Sequence, residues 1–434
     1  MELKSSKRIL AVIAAGIAVA SAVGVGAIST SSPATAEETA VEKVPLSQLA
    51  EQYPLQYGSL YQLKTKDWTS TYEGHGSLAL KMIAPVQHDG NAIVLDDEGD
   101  MSVKALEYDV ETGRWYVPAG TEYDTYLTRT DVKGCYSCKT SYYTEVTGGG
   151  HAVAAEGLDE QFVDEIGKQF FDCYLCHGSD LEGGVDATVP YSIELMGDAL
   201  AELPDNVRVC AQCHQTSYHA PLYKSGEDWD WYRPFEDGWD VDSVYTREAS
   251  SGLESTEEAT GITTYRTNHA EVEVYMSSTH ASLGVGCTDC HMPVVTDSET
   301  GIQYTDHNAS GSPLENEASL EYCLTCHAGQ GISSTEEMAQ MVHDLQDETA
   351  EIVAGVNADL AALHQRIEDA ASAGTMDEAA LEQAREAYSL AKFYSEWGLN
   401  GNGCASVKVV HNPELIASLQ VRAEALIQDA LALF

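Results

Sequence analysis

Cys135-Tyr136-Ser137-Cys138-Lys139 opens a series of five Cys-x-x-Cys pairs. The others are Cys173-Tyr174-Leu175-Cys176-His177, Cys210-Ala211-Gln212-Cys213-His214, Cys287-Thr288-Asp289-Cys290-His291 and Cys323-Leu324-Thr325-Cys326-His327. In an exported chain, Cys-x-x-Cys-His is the pattern of covalent haem c attachment: the two thiols form thioethers with the haem vinyl groups, and the adjacent histidine reaches the iron. Zinc knuckles and redox pairs share the cysteine spacing but do not need a histidine directly after the second cysteine. Ten of the eleven cysteines lie in the five pairs, so five haem c groups account for every cysteine except Cys404.

The first pair ends in Lys139 where the others place His177, His214, His291 and His327. A lysine ligates iron only as the neutral amine, and its pKa shifts readily when it is buried beside a metal. Of the fourteen histidines, ten lie outside the motifs: His75, His88, His151, His219, His269, His280, His307, His343, His364 and His411. Four electron-transfer haems with two strong axial ligands each require four of those ten. The lysine-bound haem is then the one with an open face, where a small molecule can reach the iron. One open iron fed by closed ones is the arrangement of a multi-electron reductase. With every iron six-coordinate, the chain would instead be a non-catalytic electron-transfer cytochrome.

Lys4, Lys7 and Arg8 precede the uncharged run 9–28, and Ala34-Thr35-Ala36 offers a small-residue cleavage site. Residues 1–36 therefore read as a signal peptide or an N-terminal anchor, and the chain as exported to the periplasm or the extracytoplasmic face of a membrane. The formal charge of −46, from 69 acidic and 23 basic side chains, excludes a phosphate-binding surface and so nucleic acid as a partner. It suits a solubilising exterior, or docking of a basic electron donor.

Residues 37–130, rich in tyrosine with an acidic turn at 96–100, read as short strands and loops. Residues 131–332 carry the motifs among glycine-rich links such as 148–150, with the macrocycles supplying much of the apolar core. Beyond residue 333 the period becomes helical. Ser334-Thr335-Glu336-Glu337 can cap a helix along which Met338, Met341, Val342, Leu345, Ile352, Val353, Val356, Leu360, Leu363 and Ile367 recur at three- and four-residue steps. Gly374 breaks it, a second helix runs from about Asp377 to Trp397, and a third starts near Asn412-Pro413 with Leu415, Leu419, Leu426 and Leu431 on one stripe. Such stripes are core or a dimer seam. The fold class expected is mainly α: a multihaem cytochrome c with an irregular, haem-packed core and long C-terminal helices over 333–434.

One Cys-x-x-Cys-Lys followed by four Cys-x-x-Cys-His and a long helical tail resembles the pentahaem, ammonia-forming cytochrome c nitrite reductases. That family has a Lys-x-Gln-His segment before the fourth motif, a histidine eleven residues on, and Tyr-Thr-Asp-His after it. Here Arg266-Thr267-Asn268-His269, His280 and Tyr304-Thr305-Asp306-His307 stand in those places. The resemblance implies reduction of nitrite to ammonium at the Lys139 haem, with His269 as the distal catalytic histidine. It implies His307, His411 and His280 as distal ligands of the second, fourth and fifth haems in chain order. For the third haem it points upstream to His75, with His88 in reserve. An arginine upstream of the first motif should hold the anion as a planar charged fork, and Arg129 is favoured over Arg114. The resemblance also carries a homodimer and a membrane-bound quinol-oxidising cytochrome as electron donor.

Three departures accompany it. The Glu-Tyr that follows the third motif in the family falls on Thr216-Ser217, so the catalytic phenol is either Tyr218, one residue late, or missing. The glutamate and glutamine that hold a structural calcium become Thr216 and Asn268, which weakens the case for calcium, an ion that needs carboxylate oxygen. The family's lysine becomes Arg266, whose guanidinium can supply the charge the ion would have given, as in a calcium-independent branch. With these changes, hydroxylamine, sulfite or another small oxyanion stands as an alternative substrate.

Overall fold

The computed structural model describes residues 43–65, 91–95, 101–105, 107–109, 114–116, 124–125, 141, 172–179, 181–216, 235, 238–251, 255–309 without 266 and 268, 312–374, 376–399 and 407–434. Two short helices come first, α1 (Leu46–Gln52) and α2 (Pro54–Thr65). They differ from the strands and loops expected of this region. Leu46 and Leu49, three apart, are buried on one side of α1, and Pro54 starts α2 at the position where its missing N–H is not needed. Farther on, β1 (Asn91–Leu95), β2 (Met101–Ala105), β3 (Glu107–Asp109), β4 (Arg114–Tyr116) and β5 (Asp124–Thr125) form an antiparallel sheet of order β1-β2-β5 and a β3-β4 hairpin.

The motif-bearing middle is built from short pieces. These are α3 (Tyr174–His177), α4 (Pro190–Met196), α5 (Asp198–Ala201), α6 (Asp205–Ala211), α7 (Val241–Ser251), the hairpin β6 (Ser255–Thr256) and β7 (Thr263–Thr264), α8 (Glu271–Met276), α9 (Thr279–Ser282), α10 (Cys287–His291), the hairpin β8 (Val294–Thr296) and β9 (Gln303–Thr305), and α11 (Glu317–His327). Proline and glycine set their lengths: Pro190 opens α4, Gly197 closes it at φ 52°, and Pro204 precedes α6.

Three long helices follow, α12 (Thr335–Ala373), α13 (Glu378–Glu396) and α14 (Pro413–Leu431), with the 3₁₀ turn Val407–His411 before the last. Each begins on a side-chain cap: the Ser334 hydroxyl accepts from the Glu337 N–H, the Asp377 carboxylate from Ala379 and Ala380, and the Asn412 amide oxygen from Leu415. Gly374 takes the left-handed conformation that ends α12. Leu363, Ile367, Trp397, Leu419 and Ile427 are shut away from solvent, interleaved with Ala384, Ala391 and Ala423, whose small side chains let the helices approach closely. Each fully buried large side chain contributes about 1.5–3 kcal/mol. Val244 of α7 and Val274 of α8 enter the same core, so the site elements are moored to the helical tail.

Val44–Phe434 form one unit and Met1–Lys43 another, of which only Lys43 is described. No described helix is long and apolar enough to cross a membrane.

Candidate functional site

Four of the five Cys-x-x-Cys pairs are described, and each occupies one helical turn. The His177 N–H donates to the Cys173 carbonyl and the His214 N–H to the Cys210 carbonyl, each at 2.9 Å. A turn of this kind puts residues i, i+3 and i+4 on one side, so both thiols and the imidazole face the same space. No disulfide consumes these eight cysteines. The helices that carry Cys210 and Cys287 are in contact, and the Asn206 amide donates to Asp289 at 3.0 Å, so the third and fourth attachment turns adjoin.

The structure brings three of the motif histidines opposite a histidine from elsewhere in the chain. His177 lies opposite His307 with ring centroids 6.2 Å apart, His291 opposite His411 at 6.4 Å, and His327 opposite His280 at 6.2 Å. A metal–imidazole bond is about 2.0–2.1 Å, and a ring nitrogen lies roughly 1.1 Å from its ring centre given ordinary C–N bond lengths. Two imidazoles on opposite sides of one iron therefore have centroids about 6.2–6.4 Å apart. The centroid spacing of the three pairs fits a haem iron between them.

Protonation states fit as well. Burial pushes His411 down to about 3 and His291 down to about 4, and lowers His280, His307 and His327 too, so all five are neutral imidazoles with a lone pair to offer. In the first pair the His177 Nδ1 is 2.7 Å from the Gly184 carbonyl and the His307 Nδ1 2.8 Å from the Thr305 carbonyl. An Nδ1–H donated to a carbonyl leaves Nε2 as the free donor to a metal. The Ser59 hydroxyl of α2 accepts the His307 N–H at 2.9 Å, which gives the N-terminal helices a part in placing that ring.

The remaining described motif histidine has different company. His214 meets His269 at a centroid distance of 5.5 Å and a tilt of 57°, closer than the other three pairs. Oε2 of Glu271 lies 3.7 Å from Nδ1 of His214 and 3.7 Å from Nδ1 of His269, while the other carboxylate oxygen pairs with the buried Lys408 ammonium. Burial alone would raise the Glu271 carboxyl, but Lys408, His269 and His214 together hold it well below the usual carboxylate range. The ligand atoms of His214, His269 and Glu271 lie within 4.8 Å of one another, close enough for a cation. Lys408 already supplies the positive charge there, and His214 belongs to an attachment turn.

Backbone bonds fix this cluster. The Val272 N–H donates to the His214 carbonyl at 3.2 Å, the Thr216 N–H to Glu273 at 2.8 Å, and the Asn412 amide to the Val274 carbonyl at 2.9 Å. α8 is thus clamped between the third motif and the turn that carries Lys408 and His411. His269, just ahead of α8, has φ 64°, the one positive φ outside glycine among the described residues. A left-handed β-carbon-bearing residue is held there only by its surroundings, and such conformations concentrate at functional sites. Burial pushes the Glu273 carboxyl up to about 8, so it is neutral at pH 7.

Lys139, Cys135, Cys138, Arg129, Tyr218 and His75 lie outside the described residues, as do Arg266, Asn268 and Cys404. Arg114 belongs to β4. Glu271 and Lys408 were not among the residues expected from sequence. The available signals were the Lys408-x-x-His411 spacing, which puts both side chains on one short turn, and a carboxylate two residues after His269.

A family model described as cytochrome c552 matches residues 109–433. Among solved structures, the catalytic subunit of the cytochrome c nitrite reductase from Desulfovibrio desulfuricans ATCC 27774, with its two calcium sites, is similar to this chain at TM-score 0.58 and 18% identity, over 90% of this chain and 85% of that one. This likeness is one of fold. An outer cell wall cytochrome matches at TM-score 0.26 and 14% identity, over 89% of this chain and 99% of that one.

Proposed function

The chain belongs to the cytochrome c552 family and so carries covalently bound haem c; from that premise we propose that it is a multihaem nitrite reductase that takes nitrite to ammonium with six electrons. The balanced reaction consumes one nitrite, six electrons and eight protons, and yields one ammonium and two waters. The observation that most supports the reading is the contrast between three histidine pairs at 6.2–6.4 Å and His269, held at 5.5 Å from His214 beside a carboxylate. Paired rings suit closed electron carriers, whereas a ring with a carboxylate close to its Nδ1 suits proton delivery.

In this reading five haem c groups are held by Cys135 and Cys138, Cys173 and Cys176, Cys210 and Cys213, Cys287 and Cys290, and Cys323 and Cys326. They supply the electrons and, over Lys139, an iron that nitrite can reach. Lys139, His177, His214, His291 and His327 would ligate iron from the attachment motifs, and His307, His411, His280 and His75 from elsewhere in the chain. His269 holds and delivers protons from its imidazole, Arg129 receives the anion, and the Tyr218 phenol serves the same pocket if it reaches it. Preorganised charges and donors of this kind usually make the largest protein contribution to such a step.

Calcium is not required in this account: Arg266 supplies positive charge, and Glu273 accepts the Thr216 N–H at 2.8 Å. The same reading carries export through residues 1–36, a homodimer through the long helices, and a quinol-oxidising membrane cytochrome as donor.

Purified holoprotein given nitrite and a dye-reduced electron supply should consume six electrons per nitrite and release stoichiometric ammonium. Faster turnover with sulfite or hydroxylamine would move the substrate assignment. No consumption of any of the three would leave a passive electron carrier.

A further inference from the structure

Three of the four described motif histidines have uncharged neighbours. His177 Nδ1 meets the Gly184 carbonyl at 2.7 Å, His291 bonds to the Ala309 backbone, and His327 has the Gln330 side chain beside it. His214 has a carboxylate, with Glu271 Oε2 3.7 Å from its Nδ1, and the same oxygen lies 3.7 Å from Nδ1 of His269. Lys408, almost fully buried, pairs with the second oxygen and prevents the carboxylate from turning away. One carboxylate thus serves the axial histidine of an electron-carrying haem and the histidine assigned to proton delivery.

We infer that Glu271 is a positioning residue with two effects: it makes His214 a stronger donor to the third haem, lowering that haem's reduction potential below what a carbonyl partner would set, and it fixes the ring of His269 for proton delivery. The second effect rests on the nitrite-reductase reading; the first needs only haem at the third motif. At 3.7 Å the carboxylate acts through its charge rather than a direct hydrogen bond: negative charge beside Nδ1 stabilises positive charge on the imidazole–iron unit, which favours the oxidised iron. For His269, the same contact holds in place a residue whose φ of 64° its own backbone would not choose. The bland alternative is that Glu271 and Lys408 are a structural ion pair, which predicts lost stability on substitution but no change specific to one haem.

The test uses Glu271→Gln and Glu271→Asp in the full holoprotein, with haem content per chain, a spectroscopic redox titration and nitrite turnover. Expected for Glu271→Gln is an unchanged haem content, one midpoint shifted to higher potential by more than any other, and kcat reduced about 10- to 100-fold with little change in KM. Glu271→Asp, which keeps the charge but draws it back, should move the same midpoint less. Identical titrations for wild type and Glu271→Gln overturn the inference. If Glu271→Gln fails to hold its haems, Glu271→Asp decides, and an unmoved midpoint there overturns it equally. The titration needs no nitrite, so a wild type that makes no ammonium while the midpoint still shifts would overturn the functional reading and the role given to His269, but leave the role of Glu271 at His214 standing.

Discussion

The His177/His307, His291/His411 and His327/His280 pairs share one geometry, and the His214/His269 contact breaks it. In the first group the rings lie 6.2–6.4 Å apart, burial lowers the pKa of His280, His291, His307, His327 and His411, and backbone carbonyls stand 2.7 Å from Nδ1 of His177 and 2.8 Å from Nδ1 of His307. In the second the rings are at 5.5 Å, with a carboxylate and a buried lysine beside them. The chain therefore uses one side chain in two ways. A ring with a partner 6.2–6.4 Å across from it suits holding a metal on both sides, and a ring at 5.5 Å with a carboxylate beside its Nδ1 suits handling protons. Residue type does not separate the two roles; the distance across does.

Substitution can break this contrast. The largest effect belongs to His269→Ala, which should cut nitrite turnover by about 10²- to 10⁴-fold, the range general acid–base groups contribute, while the low-spin haem spectrum stays as in wild type. New high-spin character in that variant would show that His269 is an axial ligand and that the contrast is false. Next in size, His307→Ala, His411→Ala and His280→Ala should each convert one additional haem to a high-spin form in magnetic or visible spectra. A spectrum indifferent to all three would remove the iron-spanning interpretation of their spacing. The smallest effect sharpens the account of how the two groups are joined. Asn412 caps α14 and donates to the Val274 carbonyl and the Ser277 hydroxyl, tying the His411 turn to α8. Asn412→Ala should lower unfolding stability by about 1–2 kcal/mol, read by denaturant titration of the holoprotein, with all haems retained.

The C-terminal helices were legible in sequence because their apolar residues recur at helical steps over long uninterrupted stretches with caps at the starts and Gly374 at a stop. The start of the chain was not: α1 and α2 are short, and a tyrosine-rich composition with an acidic turn downstream suggested strands. Histidine arithmetic alone left ten candidates for four places. Only motif context, through the family resemblance, singled out His280, His307 and His411, the rings that the structure sets opposite His327, His177 and His291. The Glu271–Lys408 pair had no comparable signal. The two residues are 137 positions apart, neither lies in a periodic pattern, and a carboxylate in an acidic chain attracts no notice until a fold places it. The left-handed backbone of His269, just ahead of α8, is likewise a feature that no local run of residues announces.

The central claim is that one haem, on Cys135, Cys138 and Lys139, has an open face while the others are closed by paired histidines. Low-temperature electron paramagnetic resonance on the oxidised holoprotein, before and after nitrite, tests it most directly. The account predicts a high-spin signal from one haem that nitrite alters, beside low-spin signals that nitrite leaves untouched. Five low-spin haems, none responding to nitrite, would contradict it.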